Sequence, residues 1–275
     1  MVDASRKLNS ELTQFSRLEV VMAAMKEDEV CKLVHQRLEH VELTFELRHH
    51  FNDVQRIQSV GEYGWTHPWR YFDAMMYYLL LTCFDLLGQP AEWIPFSEWL
   101  VSKKKNDERQ TAVASLQSDA APIAIAQHLN LVYQSIYGVK TSFHSFVRNV
   151  LTDDERAELF HNIQIVRGKK DGEPNTSYPA LGQITDEEKK LEFLFSLRNK
   201  FTHSAVTMGS PNAGVFQGSY DPIEIDGKLM KGYVEIHRET KNGEWVIYQV
   251  RDWPFVLQRL VSIALARREM NFIRN

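Results

Sequence analysis

The stretch LFSLRNKFTH (194–203) sets an arginine, an asparagine and a histidine within two helical turns of one another. Each brings a different capacity. The guanidinium of Arg198 is permanently charged and grips phosphate oxygens in a fork. The imidazole of His203 can take or give a proton near neutral pH. The amide of Asn199 can orient a ribose hydroxyl or a phosphate oxygen. Together these types suit a phosphodiester. They suffice for metal-free cleavage of RNA by in-line attack of a 2′-hydroxyl.

The helical position of the arginine is what makes the stretch unusual. At about 100° per residue, Leu191, Leu194, Phe195 and Phe201 define a wide apolar arc, which Phe193 and Leu197 extend. Arg198 falls inside that arc. Asn199 and His203, four apart, share a neighbouring face. A lone charge among apolar side chains is expensive, so Arg198 needs a partner or a wet cleft. Three arrangements would satisfy it without any function. It could pair with a carboxylate of another helix, snorkel to the surface, or sit on a helix less buried than its pattern. A histidine near a helix end also serves as a cap or dipole contact.

Other constellations are weaker. Lys140, His144 and Arg148 stand at helical four-spacing and form a candidate RNA-binding stripe, although an exposed helix face gives the same pattern. Lys200 joins them as a candidate RNA contact within the stretch itself. His49 and His50 are adjacent and so point to different parts of a helix surface. His35 and Glu39 are four apart, a common helix contact. No histidine set has metal-ligand spacing with a third ligand, so no metal site is expected, and no cofactor. GEYGWTHPWRYF (61–72) could stack bases, but packing of Trp65 and Trp69 onto a core accounts for it. There is no GxxxxGK[ST], no GxGxxG after a strand and no GxSxG, which disfavours nucleotide hydrolases, Rossmann oxidoreductases and α/β-hydrolases.

The elements that must position these residues are mostly helical. The chain has 275 residues, enough for a sizeable core, and at 44% hydrophobic and 25% charged it reads as globular. Its net charge of −4 argues against strong sequence-independent nucleic-acid binding and leaves room only for a local basic cleft. Cys31 and Cys83 lie in apolar helical surroundings and read as buried thiols. MVDASRKLNSEL lacks a signal-like apolar stretch, and the longest apolar run (74–84) is too short for a bilayer. A soluble, cytoplasmic protein with no membrane partner is the expectation.

Helices are expected over about 10–25, over the run containing Val30 to Phe45, and over 69–87, where Gly88 ends the most apolar helix. A short helix follows at PFSEWL, then Lys103, Lys104 and Lys105 as a solvated face. DAAPIAIAQHLNLVYQSIYG is a helix closed by Gly138. KTSFHSFVRNVLTDDERAELFHNIQIV reads as two helices, with Thr152 and Glu155 as a capping box. Residues 168–182 read as a loop. Thr185 is the expected N-cap of the helix bearing Arg198. KGYVEIHRETKNGEWVIYQV alternates on both sides of Asn242-Gly243, a hairpin at about 229–251. A last helix follows.

With Arg198-Asn199-Lys200-Phe201-Thr202-His203 late in a helical chain, the sequence resembles the HEPN ribonucleases. Their signature is an arginine, a polar residue after it, and a histidine a few residues on. The resemblance covers about 69–203 and the final helix. It implies a mostly α, HEPN-like helical bundle with a small β-hairpin inserted before the C-terminal helix. Residues 1–60 would form a helical extension packed on the bundle, and 61–275 the HEPN-like domain. It further implies Arg198 as phosphate binder, Asn199 as positioning residue and His203 as acid/base. RNA would be the substrate, and a homodimer would form through the Arg198–His203 region. Arg198 and His203 stand about 140° apart on one helix, which a site shared by two subunits would relieve. Phage defence, toxin–antitoxin pairing or stress response are the settings implied, with an antitoxin or defence protein as partner. Non-catalytic HEPN-like RNA- or nucleotide-binding modules, or a helical scaffold, are the alternatives.

Overall fold

A computed structural model describes residues 28–57, 69–117, 119–169, 180–204, 216–219, 223–225, 228–230, 233–239, 244–251 and 255–274. The chain is mostly helical, with antiparallel β-structure among the described residues. It packs as two units. One is Phe84–Leu151; the other joins the described residues up to Cys83 to those from Thr152 onward. The expected helix at 10–25, the break at 61–68 and the expected domain boundary near residue 60 lie outside the described residues.

In the larger unit, α1 (Glu29–Ile57) begins at Asp28, whose Oδ1 accepts from the amides of Val30 and Cys31 at 2.9 and 3.3 Å. A carboxylate there satisfies amides that have no partner within the helix and suits the helix dipole. Cys31, Val34 and Val41 are buried, at a helical period. α2 (Trp69–Leu87) has the expected bounds. Arg37 of α1 donates to the carbonyl of Thr82 at 2.6 Å, tying the two helices. Cys31 and Cys83 are both buried and free of a disulfide, and burial pushes the Cys31 thiol up to about 12.

The smaller unit starts with the end of α2. It continues through α3 (Phe96–Val101), a tight turn at Lys103–Lys105, α4 (Asn106–Ala114), α5 (Pro122–Tyr137), α6 (Val139–Ser145) and a π-helical turn, Phe146–Val150. Its aromatic centre is Trp99, Tyr133 and Tyr137, packed by Phe96 and Ile94. Polar tips on these rings find partners, as burial requires. Trp99 Nε1 donates to Glu108 at 2.9 Å, Tyr133 to the carbonyl of Ile94 at 2.9 Å and Tyr137 to Glu108 Oε2 at 3.1 Å. A second cluster packs Phe84 against Phe143 and Phe146 with tilted rings, centroids 5.2 and 4.3 Å apart. Gly88 closes α2 against this cluster. A Cβ there would lie 2.0 Å from the Ser142 carbonyl oxygen and 2.6 Å from the Phe146 amide, so only glycine fits the crossing.

The larger unit resumes at Thr152, which caps α7 (Asp153–His161) in the expected box. Glu155 donates its amide to Thr152 Oγ1 at 3.3 Å and accepts the Thr152 amide at 2.9 Å. The helix does not run on through HNIQIV. The Asn162 side chain turns back on the Glu158 carbonyl at 2.9 Å, and the chain leaves as β1 (Ile163–Lys169). The 168–182 segment is likewise more than a loop, since Ala180–Ile184 forms β2 against β1. Gly182 takes φ 132° beside the register shift between Arg167 and Gly168, a backbone state open to glycine.

Between these strands and the last helix lie α8 (Glu187–Ser204), β3 (Phe216–Ser219), β4 (Ile223–Ile225), β5 (Lys228–Met230), β6 (Tyr233–Glu239) and β7 (Glu244–Arg251). The expected hairpin is present as β6 paired with β7, from Tyr233↔Arg251 to Glu239↔Trp245. It belongs to something larger than the insertion expected. β7 also pairs with β1, giving a five-stranded antiparallel sheet ordered β2-β1-β7-β6-β3. β4 and β5 pair separately. α9 (Phe255–Arg274) packs on α1 and α7, burying Val256, Leu257, Leu260, Val261 and Ala264. Phe255 stacks on Phe45 of α1 at 5.4 Å.

Candidate functional site

The helix carrying the arginine is capped by Asp186, not by the expected Thr185. Asp186 Oδ1 accepts from the amides of Glu188 and Lys189 at 2.9 and 3.3 Å. Leu191, Phe193, Leu194 and Leu197 are buried on α8. Two contacts fix the helix's rotation. Phe193 stacks on Tyr248 of β7 at 4.5 Å, and Lys190 donates to the carbonyl of Phe160 at the end of α7 at 2.6 Å. Burial pulls the Lys190 amine below its ordinary value, against the opposing pull of Glu187.

This rotation puts Arg198 on the buried arc, between Leu191 and Leu194 in angle, and leaves it half-buried. Asn199 beside it is also half-buried. The guanidinium Nη1 faces Asn199 Oδ1 at 3.5 Å, at the long limit of a hydrogen bond, so the two heads lie side by side. The backbone of His203 lies in the last turn of α8, and the side chains of Lys200, Phe201 and His203 lie outside the described residues.

The second candidate set is in the smaller unit. Lys140, His144 and Arg148 all line one groove of about 490 Å³. The stripe is not a plain exposed face. Lys140 and Arg148 are exposed, whereas His144 is 8% exposed and the most withdrawn residue of the groove. The other lining side chains are uncharged amides and hydroxyls, among them Gln134, Thr141 and Asn149. Nothing chemical in the sequence marked these three. Only their position at the α5–α6 corner and in the π-helical turn brings them in. Leu151 donates its amide to the Phe146 carbonyl at 3.0 Å, the wide spacing that turns Arg148 and Asn149 out of α-helical register.

Two expectations about charged residues change. Lys105 is not part of a solvated face. Its amine bonds Glu92 at 2.8 Å and Glu108 at 2.9 Å, and these bonds with that of Tyr137 raise its pKa. Burial pushes the Glu108 carboxyl up, but bonds from Trp99, Lys105 and Tyr137 outweigh it and hold Glu108 below the usual range. Nor does His35 rest against Glu39. Its Nε2 meets Glu269 Oε1 of α9. Among the described residues no three His, Cys, Asp or Glu side chains converge as a metal site would need, and no helix is long and apolar enough to cross a membrane.

Comparison with protein-family models, with curated proteins and with solved structures gives no match.

Proposed function

We propose that the protein is a metal-independent endoribonuclease of HEPN type, working as a homodimer in the cytoplasm in defence or stress response. The observation that carries this reading is Arg198, half-buried on the apolar arc of α8 with its guanidinium beside the Asn199 amide. In this reading Arg198 binds the scissile phosphate and Asn199 holds its fork in place. His203 acts as acid/base. The 2′-oxygen loses its proton and attacks the adjacent phosphorus. The bond from phosphorus to the 5′-oxygen breaks, and that oxygen is protonated. A 2′,3′-cyclic phosphate and a 5′-hydroxyl result, and neither a metal nor an added cofactor enters. An antitoxin or defence protein would restrain or trigger the activity.

Arg198→Lys tests the role of the fork. It keeps the charge and removes the planar bidentate grip. The variant should retain RNA binding in low salt but lose most single-turnover cleavage. Cleavage at the wild-type rate would remove Arg198 from the site. The Arg198–Asn199 contact needs only to grip a phosphate, which favours as second reading a non-catalytic RNA- or nucleotide-binding module. Binding without cleavage by the wild type would select it.

A further inference from the structure

We propose that the groove of the Phe84–Leu151 unit binds the phosphodiester backbone of single-stranded RNA through Lys140, His144 and Arg148, and does so without reading the bases. The choice of RNA over other polyanions rests on the reading of α8; the groove's affinity for a phosphate chain does not.

The first argument is charge. The whole chain carries −4, yet this groove gathers three basic side chains, and among the described residues no carboxylate lines it. A concave wall of one sign focuses potential and concentrates the opposite charge. The second is extent. Lys140 and Arg148 are two helical turns apart, on the order of 10 Å along the axis. A single phosphate does not span that, whereas successive phosphates of a strand do. Arg148 supplies a planar fork and Lys140 a point charge. The side-chain amides of Gln134 and Asn149 are the types that donate to phosphate and ribose oxygens, while the Thr141 hydroxyl donates to the Gln134 carbonyl at 2.9 Å and so braces the groove wall.

The third argument is what holds the groove. Phe143 and Phe146, on either side of His144 and Ser145, are fully buried against Phe84, and Gly88 lets α2 approach the same turn. The floor under His144 is therefore close-packed, and π-helical turns of this kind recur at functional sites. The fourth is what the lining omits. Strand-binding grooves that hold bases use aromatic platforms. Among the described residues no aromatic side chain other than the His144 imidazole lines this groove, so it should grip the backbone of any sequence.

The test is binding, measured separately from cleavage. Fluorescence anisotropy of a labelled oligouridylate and a labelled oligoadenylate is followed in EDTA against salt, on the full chain. The chains compared are wild type, Lys140→Gln/Arg148→Gln and the charge-matched control Lys103→Gln/Lys104→Gln. Circular dichroism checks that each is folded, and all four substituted residues are exposed. The groove variant should bind both oligonucleotides roughly tenfold or more weakly. Its slope of log K against log salt should be shallower by about 1.4, the share of two phosphate contacts on a single strand. The control should stay within about twofold of wild type. Equal losses in the two double variants, or no binding by wild type, overturns the proposal. So does uridine monophosphate competing as well as the strand, mole for mole. Cleavage that persists in the groove variant with binding unchanged defeats the groove and spares α8. Groove-dependent binding without any cleavage does the reverse.

Discussion

Asp28 and Arg268 stand 240 positions apart in the chain and are joined by two hydrogen bonds, from Nε to Oδ2 at 2.6 Å and from the terminal guanidinium nitrogen to Oδ1 at 3.3 Å. The same carboxylate caps α1. The next arginine repeats the device. Arg267 donates to both oxygens of Glu155, at 2.5 and 2.7 Å, while Glu155 completes the capping box of α7. Two adjacent arginines of α9 thus hold the first turns of two other helices, one through the capping residue Asp28 and the other through Glu155, the partner of the cap Thr152.

Removing either carboxylate should cost more than an ordinary cap. Glu155→Ala loses the reciprocal cap bond and leaves Arg267 without this partner. A loss of about 1–3 kcal/mol is expected, against about 1 kcal/mol for a cap alone. Urea unfolding of the full chain measures it. A loss no greater than that of Thr152→Ala would show that the arginine adds nothing.

Acid should expose the same pairs. Burial pushes both carboxyls up, but for Asp28 the bond and charge of Arg268 outweigh it, with help from the Cys31 and Val30 amides. For Glu155 the Thr152 amide and Arg267 do so. Both groups are therefore lowered in the folded state. A lowered carboxyl adds stability that is fully present above its unfolded value and is lost as pH falls through the folded one. The wild type should lose stability as pH drops below the ordinary values of 4.5 for Glu155 and 3.8 for Asp28. Asp28→Asn/Glu155→Gln should start lower and fall less steeply. Parallel curves in denaturant titrations across this range would contradict the assignment.

Gly88→Ala should be among the costlier alanine substitutions in the smaller unit. The added methyl meets backbone on two sides, at 2.0 and 2.6 Å, where no side chain can yield. A loss at or above the upper end of the about 1–3 kcal/mol range for overpacking is expected. Near-ultraviolet circular dichroism should report the shift of Phe84, Phe143 and Phe146. An unchanged melting curve would mean that the crossing is looser than described.

Helices dominated by one strong signal were legible from sequence. The bounds of α2 followed from its apolar run and Gly88, and the start of α7 from Thr152 and Glu155. Where two neighbours could do the same job, the sequence did not separate them. Thr185 and Asp186 are both good caps, and the geometry of α8 uses the carboxylate. β1 was hidden because it follows α7 without a glycine or proline. Asn162 supplies the stop through a side-chain bond, and Ile163 and Ile165 give only a brief alternation. The sequence shows less of the sheet than forms, since β6 and β7 announce themselves while β1 joins them from a distance in the chain. At the candidate sites the spacing of Lys140, His144 and Arg148 showed a stripe. It did not show that His144 is withdrawn, because the close approach at Gly88 that packs this turn is a tertiary contact.

The most direct measurement is RNA cleavage in EDTA by purified wild type, Arg198→Ala and His203→Ala, with product ends identified. Cleavage by wild type, leaving 2′,3′-cyclic phosphate and 5′-hydroxyl ends, and a loss of about a hundredfold or more in each variant is the predicted result. Equal activity in all three proteins, or wild-type products with 3′-hydroxyl ends, would contradict the account.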